Sequence, residues 1–173
     1  MLGIGGGVAT AALQLAKHMG AHVIVTSSSD EKLEMAKNWG ADHGINYRRS
    51  DFAKEVRALT GKRGVDVVVD CVGGDGWSKS LAALAKGGRL VTCGATAGAN
   101  PATDIRRIFW NQLKIFGSTL GSREEFRQLL TFMQNSGVRP IIDQLFPLKE
   151  AAEAQRRLEQ ARQFGKIVLQ IAE

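Results

Sequence analysis

MLGIGGGVATAALQLAKHMG, residues 1–20, decides how the chain folds: two residues of an apolar run, a turn with glycine at positions 3, 5, 6 and 7, then an alanine- and leucine-rich helical pattern. Glycines between a strand end and a helix start let the backbone approach an anion, and the N–H groups and dipole at the helix start favour its negative charge. Gly5, Gly6, Gly7 and Val8 are therefore candidates to cradle a pyrophosphate. A glycine run alone is a weak signal, and its place before a helix gives it meaning. That helix is expected from about Gly6 to Met19, with Ala12, Leu13 and Ala16 facing inward.

The same unit repeats outward from this turn, a short β-branched run followed by a glycine-bearing turn and an amphipathic helix. Strands are expected at His22–Thr26, Gly44–Tyr47, Val65–Cys71, Arg89–Cys93, Leu113–Ser118 and Lys166–Ile171, with a further segment at Arg139–Phe146. Helices are expected at Asp30–Trp39, Phe52–Leu59, Trp77–Ala85, Arg123–Asn135 and Lys149–Ala161. Ser28 and Glu31 have capping-box spacing, and Gly40 stops the helix they open. Val65–Cys71 is almost uninterruptedly apolar and reads as a central strand buried on both faces. The fold class is α/β, a doubly wound parallel sheet of the Rossmann type in a single domain, residues 1–173. Its first strand keeps only Met1 and Leu2 where about five or six residues are usual. The expectation is that the sequence starts inside a longer one; the alternative is a short domain with a stunted central strand.

Composition narrows the function. The formal charge is +6, yet the basic residues are interleaved with Asp and Glu, whereas a nucleic-acid surface needs a basic stripe with interleaved aromatics. A small phosphorylated ligand accounts for the excess more economically. Cys71 and Cys93, the only cysteines, lie in apolar segments with no CxxC spacing and read as core residues of a cytoplasmic protein. No apolar run approaches the roughly 18 residues of a membrane span, and no signal-peptide pattern opens the chain. His18, His22 and His43 have no metal-pair spacing and read as surface or packing residues.

Other nucleotide chemistries fit poorly. The nearest Walker-type stretch, Gly61-Lys62-Arg63, has Val56 at the first glycine position and no hydroxyl after the lysine. Short-chain dehydrogenase chemistry needs a lysine four residues after a catalytic tyrosine, but Tyr47 is followed there by Asp51. An adenosyl-cofactor methyltransferase, like an NAD enzyme, usually places an acid at the end of strand two to meet the ribose, and this chain has Ser27-Ser28-Ser29. Asp30 and Glu31 suit the first helical turn instead. Small hydroxyls, with Lys32 one turn on and Tyr47-Arg48 after strand three, make a polar, cationic cup for a 2′-phosphate, so NADP(H) is preferred over NAD(H). Lys32 also reads as a solvated helix residue, and Tyr47 as a half-buried strand-end aromatic.

Together these residues resemble the medium-chain dehydrogenase/reductase superfamily, in its quinone-oxidoreductase-like and zinc-type alcohol-dehydrogenase branches. The first turn is similar to the family's AxxGxxG pattern, with Gly3, Gly6 and Ala9 at the three positions, Ala9 standing where the last glycine is usual. Val25–Ser29, Gly40–His43, Gly64–Asp70, Gly87–Val91 and Phe164–Val168 follow as similar segments in the family's order. The resemblance implies that Gly5 to Val8 cradle the pyrophosphate, and that Ser27, Ser28, Lys32 and Tyr47 surround the adenosine ribose and its 2′-phosphate. Val72-Gly73 and Cys93-Gly94 would line the ribose and nicotinamide side, and Lys166 would reach the cofactor from the last strand. Val72 and Cys93 also read as core, and the glycines as turns only. It further implies a homodimer through the edge Leu113–Thr119, and a substrate pocket, with zinc where present, in a preceding domain. No catalytic residue or metal ligand is identified in this chain. The resulting reading is the cofactor-binding half of an oxidoreductase; the alternative is a nucleotide-binding or oligomerising module without catalysis.

Overall fold

A computed structural model describes residues 1–171. The elements run α1 (Gly7–His18), β1 (Ile24–Ser27), α2 (Asp30–Asn38), β2 (His43–Asn46), α3 (Phe52–Leu59), β3 (Val65–Asp70), α4 (Trp77–Ala83), β4 (Leu84–Thr92), α5 (Ile105–Trp110), β5 (Lys114–Gly117), α6 (Arg123–Ser136), β6 (Ile142–Pro147), α7 (Ala151–Glu159) and β7 (Lys166–Gln170). β1 pairs with β2, β3 with β4, β4 with β5, and β6 with β7, every pair parallel. Residues 1–4 join the first two ladders. Leu2 N–H donates to the Val69 carbonyl (3.1 Å), while Thr26 N–H donates to the Met1 carbonyl (3.0 Å) and Ile4 N–H to the Thr26 carbonyl (2.9 Å). The order is therefore β2, β1, residues 1–4, β3, β4, β5, and the reversal point lies at the short central segment.

Two buried clusters cover the two faces. Leu2, Ile45, Phe52, Val56, Val68, Leu81, Leu84 and Leu90 pack on the side of α3 and α4. Ile4, Ala9, Leu13, Val25, Leu33, Ala36 and Phe164 pack on the side of α1 and α2. Leu13 and Ala36 are fully enclosed, as the inward stripes of their helices require.

Several expectations change. Ser29, not Ser28, caps α2, its hydroxyl accepting from Lys32 N–H (3.3 Å), so Ser28 and Glu31 form no box. β3 is not buried on both faces: Asp66 and Val67 are exposed, Val67 at 44%, because no described residue packs over that part of the strand. β4 starts at Leu84 and cuts α4 short at Ala83. α5 escapes the periodicity reading, being six residues long with apolar residues at both ends, and is marked only by its Asp104 cap. Cys93 is exposed and Cys71 half-buried, because both lie just past their strands' ends.

The Met1 amine is enclosed and donates to the Ile24 carbonyl (2.7 Å). Burial, opposed by the charges of Asp70 and Cys71, lowers its pKa to about 6.

Candidate functional site

The turn before α1 sits at the C-terminal ends of the strands, where the sheet order reverses. Gly5 has φ +115°, a conformation other residues adopt only with strain, and Gly6 caps α1 in an extended conformation with no side-chain partner. No acid occupies the first turn of α1, so no carboxylate offsets the positive dipole end at its leading N–H groups. Thr10, buried in the next turn, ties the loop down by donating to the carbonyls of Gly6 (3.0 Å) and Gly7 (3.1 Å).

Two lysines lie against this turn. A Cβ on Gly5 would fall 2.8 Å from Lys32 Cδ and 3.2 Å from its Nζ, and one on Gly7 would fall 2.7 Å from Lys166 Cδ. Lys32 Nζ donates to the Ala161 carbonyl (2.6 Å). Burial pushes its ammonium below the ordinary lysine range, against the pull of Asp143 and Glu31. Lys166 arrives from β7, held in place because Gly165 N–H donates to the Gly5 carbonyl (2.9 Å). The unit carrying Ala161 and Gly165 is braced by Asp143, nearly enclosed, which accepts from Arg157 (2.6 and 3.0 Å) and from Phe164 N–H (2.9 Å). The Arg157 guanidinium holds the Asp143 carboxyl below the usual range.

At the ends of β1 and β2 the hydroxyls gather. Ser27 is buried, its Oγ accepting from Ser29 N–H (3.1 Å), and Tyr47 N–H donates to the Ser27 carbonyl (3.1 Å) while the ring stays exposed. Asn46 Nδ2 donates to the Ser28 carbonyl (3.5 Å) and to Asp30 Oδ1 (2.7 Å). Asp30 also pairs with Arg49, so the cation joined to this cluster comes from Arg49, one residue beyond the expected Arg48. Lys32 stands apart from these hydroxyls, over Gly5.

Across the central segment, Val72 approaches Gly3, whose Cβ would lie 3.3 Å from Val72 Cγ2. Gly73 and Gly74 pack on the loop 94–98, with Gly74 N–H donating to the Gly98 carbonyl (3.0 Å) and Ala97 N–H to the Val72 carbonyl (2.8 Å). Asp70 sets this corner. Fully enclosed, it accepts from the N–H groups of Val72 (2.9 Å) and Gly73 (2.9 Å) and from Ser80 Oγ (2.8 Å). Sequence reasoning missed Asp70, Asn46, Arg49 and Thr10; an acid directly after a three-residue apolar stretch was the available signal for Asp70.

Lys32 thus lies over Gly5, Lys166 over Gly7 and Val72 against Gly3, while Ser27 and Tyr47 meet at the ends of β1 and β2 and the exposed Cys93 follows β4. The fit to a dinucleotide is physical: a turn approached to within van der Waals distance only because it lacks Cβ atoms, a helix N-terminus, and two ammonium groups. Zinc does not fit: among the described residues no three His, Cys, Asp or Glu side chains come together as a ligand set.

Comparison with known proteins agrees with this architecture. Residues 7–135 match the family model described as zinc-binding dehydrogenase. A zinc-type alcohol dehydrogenase-like protein of Schizosaccharomyces pombe is 37% identical over 171 residues, covering 96% of this chain and 49% of its own length. An NAD-dependent alcohol dehydrogenase of Sulfolobus acidocaldarius is 33% identical over 173 residues, covering 99% and 49%. The crystal structure of an NAD-dependent alcohol dehydrogenase superposes with a TM-score of 0.90 at 42% identity, over 99% of this chain and 50% of that one. The chain thus spans about half the length of the relatives it matches. With family model, relatives and fold in agreement, this chain belongs to the zinc-binding dehydrogenase family.

Proposed function

We propose that this chain is the dinucleotide-binding half of a cytoplasmic, NADP(H)-dependent oxidoreductase that moves hydride to or from an alcohol or carbonyl, an enone or a quinone. The observation that carries this reading is the Cβ-free turn at Gly5 and Gly7 with Lys32 and Lys166 laid against it. The nicotinamide supplies the hydride when bound; this chain's residues orient the cofactor and neutralise its phosphates. A small-molecule substrate, and zinc if the parent enzyme uses it, would be held by a domain outside this sequence. Names of relatives point to NAD(H), and the preference for NADP(H) rests on the serines at residues 27–29 and on Asp30 being engaged by Asn46 and Arg49. Calorimetric titration with NADPH and NADH in one buffer tests both parts: tighter NADPH binding supports the whole reading, tighter NADH binding removes the preference, and binding of neither removes the function.

Lys32→Ala locates the ammonium's work. If Lys32 swings to the 2′-phosphate, NADPH affinity should fall roughly tenfold, the scale of a lost charge-assisted hydrogen bond, with NADH nearly unchanged. Equal losses for both would place it on the pyrophosphate, the position its contact with Gly5 favours.

Among the described residues β5 pairs only with β4, and all four of its residues are exposed, Ile115 and Phe116 among them. An open apolar edge invites a second copy, so we assign Leu113–Thr119 as a homodimer interface. Sedimentation at micromolar concentration should give a dimer that Ile115→Lys converts to monomer; a monomeric parent chain would remove the interface.

A further inference from the structure

β3 and β4 run in parallel register up to the pair Asp70 and Thr92. Cys93 N–H then donates to the Asp70 carbonyl (3.2 Å), extending the ladder one step and setting Cys71 beside Cys93. Gly94 lies on the same backbone, since a Cβ there would fall 2.9 Å from the Cys71 carbonyl oxygen and 3.7 Å from its Cα. Neighbouring strands are about 4.8 Å apart, inside the Cα separation of about 4.4–6.8 Å that a disulfide requires. Each cysteine follows its paired residue by one position, so a ladder continued one step would turn both side chains to the same face, and Cys71 Sγ reaches the Leu2 carbonyl oxygen at 3.9 Å. Both thiols are free, with Cys93 exposed and Cys71 half-buried.

We propose that Cys71 and Cys93 are a reversible disulfide site at the lip of the crevice, closed by a peroxide. The exposed Cys93 thiolate attacks a peroxide oxygen, the O–O bond breaks, a sulfenic acid forms, and the leaving hydroxide takes a proton to become water. The Cys71 thiolate attacks that sulfur, the S–O bond breaks as the S–S bond forms, and a second water leaves. Two thiols are oxidised and one hydrogen peroxide is reduced. Burial and the adjacent Cys93 sulfur raise the Cys71 thiol above its ordinary range, consistent with Cys71 acting second.

The bond would tie together the two loops, Val72–Gly74 and 94–98, that border the nicotinamide side; this consequence rests on the proposed function, whereas the thiol chemistry does not. The test is intact-mass measurement and thiol counting on the full chain treated with hydrogen peroxide, alongside Cys71→Ser and Cys93→Ser. The expected result is a mass lower by two hydrogens, loss of both titratable thiols, a cross-linked Cys71–Cys93 peptide pair, and full reversal by dithiothreitol. Oxygen added to Cys93 while Cys71 still titrates, or only interchain dimers that Cys93→Ser abolishes, would overturn the proposal. The oxidised chain should bind NADPH several-fold more weakly than the reduced chain. Failure of the reduced chain to bind any dinucleotide would sink the function and leave the mass result to decide the disulfide.

Discussion

Asp70→Ala should destabilise the chain by about 4 kcal/mol, because it strands two backbone N–H groups and a hydroxyl in a fully enclosed corner. For a chain of this size that corresponds to a thermal midpoint lower by about 12 °C. The loss should come with weaker dinucleotide binding, since the same carboxylate holds Val72 and Gly73 at the crevice wall. Asp70→Asn separates the two effects. Its carbonyl oxygen can still accept from both N–H groups, and the Ser80 hydroxyl can turn to accept from the amide, so about 1–2 kcal/mol should be lost. Equal losses for Ala and Asn in denaturant titrations would show that the negative charge, not the geometry of acceptors, is what the corner needs.

Gly165→Ala should be similarly damaging, at about 3 kcal/mol or a midpoint lower by about 10 °C. Gly165 has φ +102°, and a Cβ there would collide with the Ile141 carbonyl oxygen, a backbone atom that cannot rotate away. Relief requires the turn to lift, which breaks the bond to the Gly5 carbonyl and withdraws Lys166 from Gly7. Affinity for NADPH and NADH should therefore fall together, unlike the selective loss that a 2′-phosphate contact predicts for Lys32→Ala. Undiminished affinity in the folded variant would show that the β7 turn does not shape the phosphate site.

These two residues also show where the sequence was readable. The glycine turn and helix within residues 1–20, Leu13 on the inner face of α1, and the parallel pairing all follow from local periodicity and glycine placement, and the structure reproduces them, while Ala12 and Ala16 are only half-buried. Contacts between distant segments leave no such trace. Nothing in Gly165 or Ala161 announces that they touch Gly5 and Lys32, and Asp70 is indistinguishable by pattern from a surface acid until its corner closes around it. Lys32 was legible as a cation near the site, but not which part of the turn it would cover, because a four-carbon stem reaches several places from one Cα. Val67 misled for a related reason: an apolar strand is buried only where something packs on it.

The hydrogen bond from Lys32 to the Ala161 carbonyl makes the protein's own main chain a rival acceptor for the ammonium. A phosphate that recruits Lys32 gains only the difference between two partners, so an alanine scan at this position under-reports the strength of the ion contact. The rival is tethered and does not dilute, so adding more protein leaves that handicap unchanged, while any change that draws residue 161 away should sharpen affinity without altering a single ligand-contacting group.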